Sequence, residues 1–152
     1  MSGATWQRPP CLAALDITAI VAVEPVRVVA MVDPVVDRLG HSPASLYAET
    51  YWLPILGPSA LLALRRLDRG LDDAPDGFAL HVAAFGAELG ISPATTVRTI
   101  GRLIHFRLAA GHGRQLAVAR KVPPLARRHI ERLPAHLAAL HGHPHPDQEV
   151  NP

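Results

Sequence analysis

The sequence predicts an α+β fold organised around residues 78–121, and the prediction rests on three observations. Residues 92–106 carry apolar side chains at the spacing of one helix face. Residues 78–89 have a similar helical period and are followed by a glycine, which predicts a second helix and a tight turn between the two. Residues 108–110 and 115–121 flank a glycine-rich turn and are expected to pair as two short strands.

The helix predicted over residues 92–106 has two distinct faces. Its apolar face, which is expected to be buried, consists of Val97, Ile100, Leu103 and Ile104. Another face carries hydroxyls and arginines but no acid, and it consists of Thr95, Arg98, Thr99 and Arg102. The helix predicted before it has its own apolar stripe, formed by Val82, Phe85 and Leu89.

The N-terminal part of the chain is expected to contain a flexible start, residues 1–10, and two strands. Residues 17–23 and 26–32 are rich in β-branched side chains, and Pro25 interrupts them, so we expect a hairpin. An isolated hairpin is only marginally stable, so these strands must pack on the rest of the chain or on a second copy. The monomer core is the favoured interpretation, and a dimer surface is the alternative.

Short helices are expected after the strands. Asp33-Pro34 is a typical helix start, with an N-cap followed by proline at the first helical position, and Gly40 can end this helix. Residues 46–52 are expected to be helical, whereas the prolines and glycine in residues 53–58 are expected to break the helix. The aromatic residues here, either core anchors or a partner surface, are Tyr47, Tyr51 and Trp52.

Pro58 opens a longer helix that extends to about Arg69 and is expected to be the first of a three-helix core. Its buried stripe consists of Leu61, Leu64, Leu67 and Leu71. Residues 71–77 are an acidic turn. We expect a solvated loop rather than a metal site, because no glutamate follows at the spacing of a calcium loop.

The C-terminal part begins with Val122-Pro123-Pro124 and continues as a basic helix over residues 125–132, which Pro134 separates from a further helical segment. The histidine cluster of this part consists of His136, His141, His143 and His145. Such a cluster is a weak compositional signal, and no metal site is expected. The predicted organisation is therefore an N-terminal β-hairpin with short helices (1–56), a helical core with a ribbon (57–122), and a C-terminal helix with a His- and Pro-rich tail (123–152).

Composition bounds the class of protein. With 152 residues, of which 49% are hydrophobic, the chain can form one domain with a substantial core. The single cysteine, Cys11, excludes an internal disulfide and is typical of a reducing compartment. We find no secretory signal and no apolar run of about eighteen residues, so a cytoplasmic protein without a membrane span is expected. No phosphate loop, nucleophile elbow, HExxH or CxxC occurs, so neither catalysis nor a cofactor is expected.

The net charge of +2 hides a strong asymmetry. Residues 1–91 contain six arginines and ten acids, a balance of −4. Residues 92–133 contain nine lysines or arginines and one acid, a balance of +8, and residues 134–152 contain only two acids. A basic excess confined to the second helix, the ribbon and the following segment favours a polyanionic partner.

Helix, glycine turn, helix and two-stranded ribbon is the layout of a winged helix-turn-helix. Residues 89–103, LGISPATTVRTIGRL, resemble the turn and recognition helix of MarR- and GntR-type regulators, and the resemblance extends over residues 78–121. Residues 51–59, YWLPILGPS, and residues 122–125, VPPL, are similar to segments of small winged-helix proteins of high-GC actinobacteria.

One position departs from the winged-helix pattern. Winged helices usually place glycine just before the position of Leu108, where the helix ends with a positive φ, and this chain has Arg107. An arginine in that conformation is strained, so we expect the helix to end differently and the wing to be re-aimed.

The resemblance and the charge distribution together imply a transcriptional regulator that binds double-stranded DNA in a sequence-specific manner. Ser92 is expected to cap the recognition helix and to meet a phosphate. The residues expected in the major groove are Thr95, Thr96, Arg98, Thr99 and Arg102, with arginine forks on guanine and threonines on thymine methyls. His112 and Arg114 at the wing tip are expected to reach the minor groove or the backbone, and Arg120 and Lys121 to contact phosphates.

Two further expectations concern partners. A two-fold homodimer is expected if the DNA site is palindromic, with residues 17–32 or 125–140 as its interface. The alternative function is a winged-helix protein-interaction adaptor without DNA binding, in which the N-terminal β region and Trp52 form the docking surface.

Overall fold

The computed structural model describes residues 25–142, which form an α+β fold with a four-stranded mixed sheet. The strands are β1 Val26–Met31, β2 Phe78–Leu80, β3 Ala109–His112 and β4 Gln115–Ala119. The helices are α1 Pro34–Leu39, α2 Leu53–Leu56, α3 Pro58–Asp73, α4 Val82–Leu89, α5 Pro93–His105, α6 Arg127–Ile130 and α7 Ala135–His141. A π-helical turn, Ala48–Trp52, directly precedes α2.

Strand β1 is an interior strand of the sheet, whose order is β2-β1-β4-β3. It pairs antiparallel with β2, with Val26 opposite Leu80, and parallel with β4, with Met31 opposite Ala119. Because both edges of β1 are occupied, it belongs to the core of the monomer, as the favoured interpretation predicted. It offers no free edge to a partner strand. The other predicted strand, residues 17–23, lies outside the described residues.

All three predicted segments contribute to one hydrophobic core, which extends from Val26 to Leu133. The predicted stripe of α3 is confirmed, since Leu61, Leu64, Leu67 and Leu71 are all buried. Tyr47 joins the first segment to the third: its Oη accepts a hydrogen bond from the Leu125 N–H at 2.9 Å and lies 2.9 Å from His141 Nε2. The aromatic residues of this region are therefore core anchors.

The prediction of one helix over residues 78–89 is wrong for its first three residues. Phe78–Leu80 is a strand, and α4 begins only at Val82. The N–H and C=O groups along one edge of β1 require hydrogen-bond partners, and Phe78–Leu80 supplies them as a strand. These hydrogen bonds outweigh the helical periodicity of such a short apolar segment. The predicted end of the helix is confirmed, because Gly90 adopts a left-handed conformation with φ +74°.

The predicted break within residues 53–58 is confirmed, but it falls at Gly57 and not at Pro54. The N–H of Leu53 donates to the carbonyl of Ala48, five residues back, which forms the π-helical turn just before the proline. A wider turn at this point accommodates a residue that lacks an N–H and whose ring would crowd the preceding turn. The helix ends instead at Gly57, whose φ of +84° and ψ of 163° suit glycine alone.

The remaining helices follow the sequence more closely. Asp33 caps α1 by accepting from the N–H groups of Val35 and Val36, as predicted. The basic C-terminal helix is shorter than expected, since α6 covers only Arg127–Ile130, and Pro134 precedes α7. Within residues 25–142, no helix is both long and apolar enough to cross a membrane.

Candidate nucleic-acid interface

The first turn of α5 holds Arg98 through a short chain of hydroxyls. Ser92 is the predicted N-cap: its Oγ accepts from the Thr95 N–H at 3.2 Å. The same hydroxyl donates to Thr95 Oγ1 at 3.0 Å, and Arg98 Nη2 donates to Thr95 Oγ1 at 3.1 Å. Since Ser92 and Arg98 are exposed, the arrangement presents an oriented guanidinium beside the N-terminal end of the helix.

Thr96 and Thr99 do not belong to this surface, contrary to the prediction. Thr96 is 0% exposed and Thr99 is 6% exposed. Each hydroxyl donates to the carbonyl four residues back, Thr96 to Ser92 and Thr99 to Thr95, both at 2.8 Å. A threonine that satisfies its hydroxyl on its own helix can be buried at little cost.

The buried face of α5 is therefore shifted from the predicted one. It consists of Thr96, Thr99, Ile100 and Leu103, while Val97 and Ile104 are only half-buried. The contact with α4 is close at Gly86, where a Cβ would lie 2.0 Å from Thr96 Oγ1. The two threonines are thus the packing surface between α4 and α5.

Arg102 also has a different role from the predicted one. Its Nε donates to the carbonyl of Leu56 at 2.7 Å, and its Nη2 donates to the carbonyl of Ile55 at 2.5 Å. Its guanidinium carbon lies 5.3 Å from the centre of the Phe106 ring. Arg102 therefore satisfies carbonyls at the C-terminal end of α2, which a cation there also stabilises electrostatically. The residue is exposed, but its Nε and Nη2 are engaged within the protein.

Arg120 is engaged in the same way on the other side of the sheet. Its Nε lies 2.6 Å from Asp68 Oδ1, and its Nη2 contacts Asp72, so the side chain joins β4 to α3. Burial alone would lower the pKa of Arg120, but the two carboxylates outweigh burial and the pKa is raised. The predicted phosphate contact by Arg120 is therefore wrong.

The β3–β4 hairpin confirms the predicted ribbon and its tip. His112 pairs with Gln115, and the two loop residues between them are Gly113 and Arg114. Gly113 has φ +58°, which is typical of the first loop position of a type II′ hairpin turn. His112 and Arg114 are exposed, whereas Lys121 is half-buried and lies beyond the opposite end of β4.

Arg27 is a cation of this surface that the sequence analysis missed. The N–H of Arg27 donates to the carbonyl of Arg114 at 2.8 Å, so its side chain starts beside the hairpin tip. That side chain is exposed, and its Nη2 donates to the Asp76 carbonyl at 2.9 Å. The only feature of the sequence that could have indicated Arg27 is that it is the one arginine within the β-branched segment of residues 26–32.

Arg107 adopts the strained conformation that its position requires, with φ +60°. The Leu108 N–H donates to the Leu103 carbonyl at 2.9 Å and the Arg107 N–H to the Ile104 carbonyl at 3.0 Å, which is a Schellman motif. Helix α4 ends with the same pair of bonds around Gly90. The expectation that α5 would end differently and re-aim the hairpin is therefore wrong. The arginine takes the conformation of a glycine.

The exposed cations of this surface lie outside the ion pairs of the described chain. Within residues 25–142, the ion pairs are Arg65–Glu49, Arg66–Glu88, Arg120 with Asp68 and Asp72, and Arg127–Glu131. Over the same range, no ion pair engages Arg27, Arg98 or Arg114. The start of α5 and the hairpin tip thus carry positive charge without a neighbouring carboxylate in contact.

Other classes of site have less support in the described part of the chain. Residues 25–142 contain no group of three His, Cys, Asp or Glu side chains placed to hold a metal ion. Of the histidine cluster, His141 contacts Tyr47, and His143 and His145 lie outside the described residues. Comparisons of the chain with protein-family models, with curated proteins and with solved structures find no match. Function must therefore be inferred from the surface itself.

Proposed function

We propose that this chain is a winged helix-turn-helix protein that binds double-stranded DNA and regulates transcription. Helices α3, α4 and α5 followed by the β3–β4 hairpin have the order of such a domain. The observation that carries the proposal is that Arg98 in α5 and Arg114 and Arg27 at the hairpin tip are exposed and that no described carboxylate pairs with them. A surface of this kind favours a polyanion.

Helix α5 is suited to the major groove. It has 13 residues, which corresponds to about 20 Å at 1.5 Å per residue. Its exposed side near the N-terminus carries the small residues Ala94 and Thr95 next to Arg98. Small side chains permit close approach to the bases, and an arginine fork matches guanine O6 and N7. The proposed base contacts are fewer than the sequence predicted, because Thr96 and Thr99 are buried and the guanidinium of Arg102 is hydrogen-bonded to backbone carbonyls.

The hairpin tip supplies contacts of another type. Arg114 lies in a tight two-residue turn and His112 directly precedes this turn, where a cation can meet a phosphate or enter a narrow minor groove. Arg27 adds positive charge beside the hairpin tip. These contacts contribute affinity and orientation, whereas Arg98 contributes sequence preference.

The adaptor alternative is less favoured, because the described residues of its assigned surface are engaged inside the protein. Strand β1 is interior to the sheet, and Trp52 is 2% exposed, with its Nε1 donating to the Pro123 carbonyl at 2.9 Å. Docking through either would require the core to open. A two-fold dimer on a palindromic site stays a prediction, and light scattering of the DNA-bound protein measures the number of copies.

The test is a fluorescence-anisotropy titration of genomic and random duplex DNA at several salt concentrations. With about four phosphate contacts, the slope of log affinity against log salt should be roughly −3.6. Arg98→Ala should weaken binding to the preferred sequence by about 1–3 kcal/mol and affect random DNA less. Arg114→Ala should weaken both and reduce the slope by about one unit.

The matched control is Arg38→Ala. Arg38 is an exposed arginine of α1, a helix that adjoins the far end of β4, where Gly40 approaches Val122. Its replacement should leave both affinities unchanged. If the intact protein binds no duplex at low salt, or if all three variants behave alike, DNA binding through this surface is wrong and a protein partner becomes the better hypothesis.

A further inference from the structure

A cavity of about 300 Å³ lies at the C-terminal end of α5, near the end of β4 that is opposite to the hairpin tip. Its walls come from the ends of β1, α5 and β4 together with the segment that follows β4, and they include Met31, Phe106, Ala119 and Pro124. The volume is at the lower end of the range for small-molecule sites. A ligand that fits it must be small.

Three rings form one wall of the cavity. Trp52 and Phe106 meet edge to face, with ring centres 6.3 Å apart and planes at 87°. The ring of His129 lies 5.8 Å from that of Trp52 and 5.5 Å from that of Phe106. Trp52 is fixed by its hydrogen bond to the Pro123 carbonyl. This rigid aromatic wall suits the flat, apolar body of a ligand.

The polar residues around the cavity favour an anion. Arg107, Lys121 and Arg128 line it, and within residues 25–142 none of them forms an ion pair. Two carboxylates also line it, but both are used by the start of α1: Asp33 Oδ1 accepts from two backbone N–H groups, and Asp37 Oδ2 accepts from the Asp33 N–H at 3.3 Å. The lining thus carries three cations and two carboxylates, a net charge of +1, and no described carboxylate forms an ion pair with any of the cations.

Two features of the cavity are unfavourable for the protein alone. Arg107 is held at φ +60°, which glycine would adopt without strain. His129 is 9% exposed, and its Nδ1 has no hydrogen-bond partner among the described residues. Burial and the nearby Arg128 and Arg132 lower the pKa of His129, so the ring is neutral at pH 7. Strained backbone and unsatisfied buried polar groups concentrate at binding sites.

We propose that this cavity binds a small organic anion with a flat apolar body and one carboxylate, of the aryl carboxylate class. The body packs against the wall formed by Trp52, Phe106 and His129, and the carboxylate is met by Arg107 together with Lys121 and Arg128. The site is separate from the DNA surface, so the proposal stands whether or not the chain binds DNA.

The test uses isothermal titration calorimetry of the full chain with two probes that differ only in charge, indole-3-acetate and its neutral amide, indole-3-acetamide. The acetate should bind at least tenfold more tightly than the amide. Arg107→Gly removes the cation and the strain together, so the variant should be no less stable than the wild type. Its affinity for the acetate should fall at least fivefold, while its affinity for the amide is unchanged.

Two controls locate the site. Ala126→Trp adds bulk at an exposed residue of the cavity wall and should abolish binding of both probes without changing the far-UV circular dichroism. Arg127→Ala removes a neighbouring arginine whose side chain is 94% exposed and which does not line the cavity, and it should bind both probes normally. Equal affinity for acetate and amide, unchanged acetate binding by Arg107→Gly or Ala126→Trp, or no binding of the acetate at millimolar concentration would each overturn the proposal.

Discussion

Replacing Arg107 by glycine should stabilise the protein, and the reverse change at Gly90 should destabilise it. The two positions are equivalent, because α4 and α5 both end in a Schellman motif, with Gly90 at φ +74° and Arg107 at φ +60°. One helix thus carries the residue suited to this conformation, and the other carries an arginine. Exchange of the two residue types isolates the conformational cost.

The magnitude follows from the two opposing contributions. A left-handed conformation costs a residue with a Cβ about 1–2 kcal/mol. Glycine loses more backbone freedom on folding, which offsets about 0.5–1 kcal/mol of that gain. The Arg107 side chain is exposed and outside the ion pairs of the described residues, so little else is lost. Arg107→Gly should therefore raise the free energy of unfolding by about 0.5–1 kcal/mol, or roughly 2–4 °C in Tm for a chain of this length.

Gly90→Arg should lower the free energy of unfolding by a similar amount. No heavy atom lies within 4 Å of a Cβ built at Gly90, so the cost is conformational rather than steric. Urea denaturation followed by circular dichroism, with unchanged m-values, measures both differences. If Arg107→Gly destabilises the protein while Gly90→Arg behaves as expected, the Arg107 side chain makes contacts worth more than its strain, and the reasoning fails.

Two further predictions concern internal contacts. Arg102→Ala should destabilise the fold by about 1–3 kcal/mol, because the part-buried carbonyls of Ile55 and Leu56 lose their donor, and a urea titration checks it. Burial lowers the pKa of both His129 and His141, so the unfolded chain binds more protons once the pH falls below about 6.5. Stability should thus be complete above that pH and decline as the pH falls towards the lowered values. His129→Phe combined with His141→Gln should flatten the dependence of the urea midpoint on pH, and an unchanged dependence would assign it to other groups.

Much of the fold could be predicted from the sequence, because strong local signals decide it. The cap at Asp33, the leucine stripe of α3, the cap at Ser92 and the turn at Gly113 are all set by interactions within a few residues. What failed depends on distant partners. Phe78–Leu80 is a strand only because β1 lies beside it. In the sequence, helices α1, α2 and α3 separate the two strands.

The site was harder to predict than the fold for a different reason. Helical spacing correctly grouped Thr95, Arg98, Thr99 and Arg102, but it does not reveal what the group faces. A polar residue indicates exposure only if it needs water, and Thr99 satisfies its hydroxyl on the Thr95 carbonyl. Arg27 was missed for the opposite reason, since its place beside the hairpin tip follows from the parallel pairing of β1 with β4, which periodicity does not contain.

Arg102 and Arg120, which were predicted to contact DNA but bind groups of the protein instead, help to position Arg98 and Arg114. Arg102 fastens α5 to the end of α2, and Arg120 fastens β4 to α3, so the helix and the hairpin are each tied to the helical core by a guanidinium. Arg102 follows Arg98 in α5, while Arg114 and Arg120 flank the two ends of β4. Weakening either tie should therefore disturb the orientation of an exposed cation without removing it. The basic residues of this chain therefore have two roles. Some of them hold helices and strands together, and only the others are available to a polyanion.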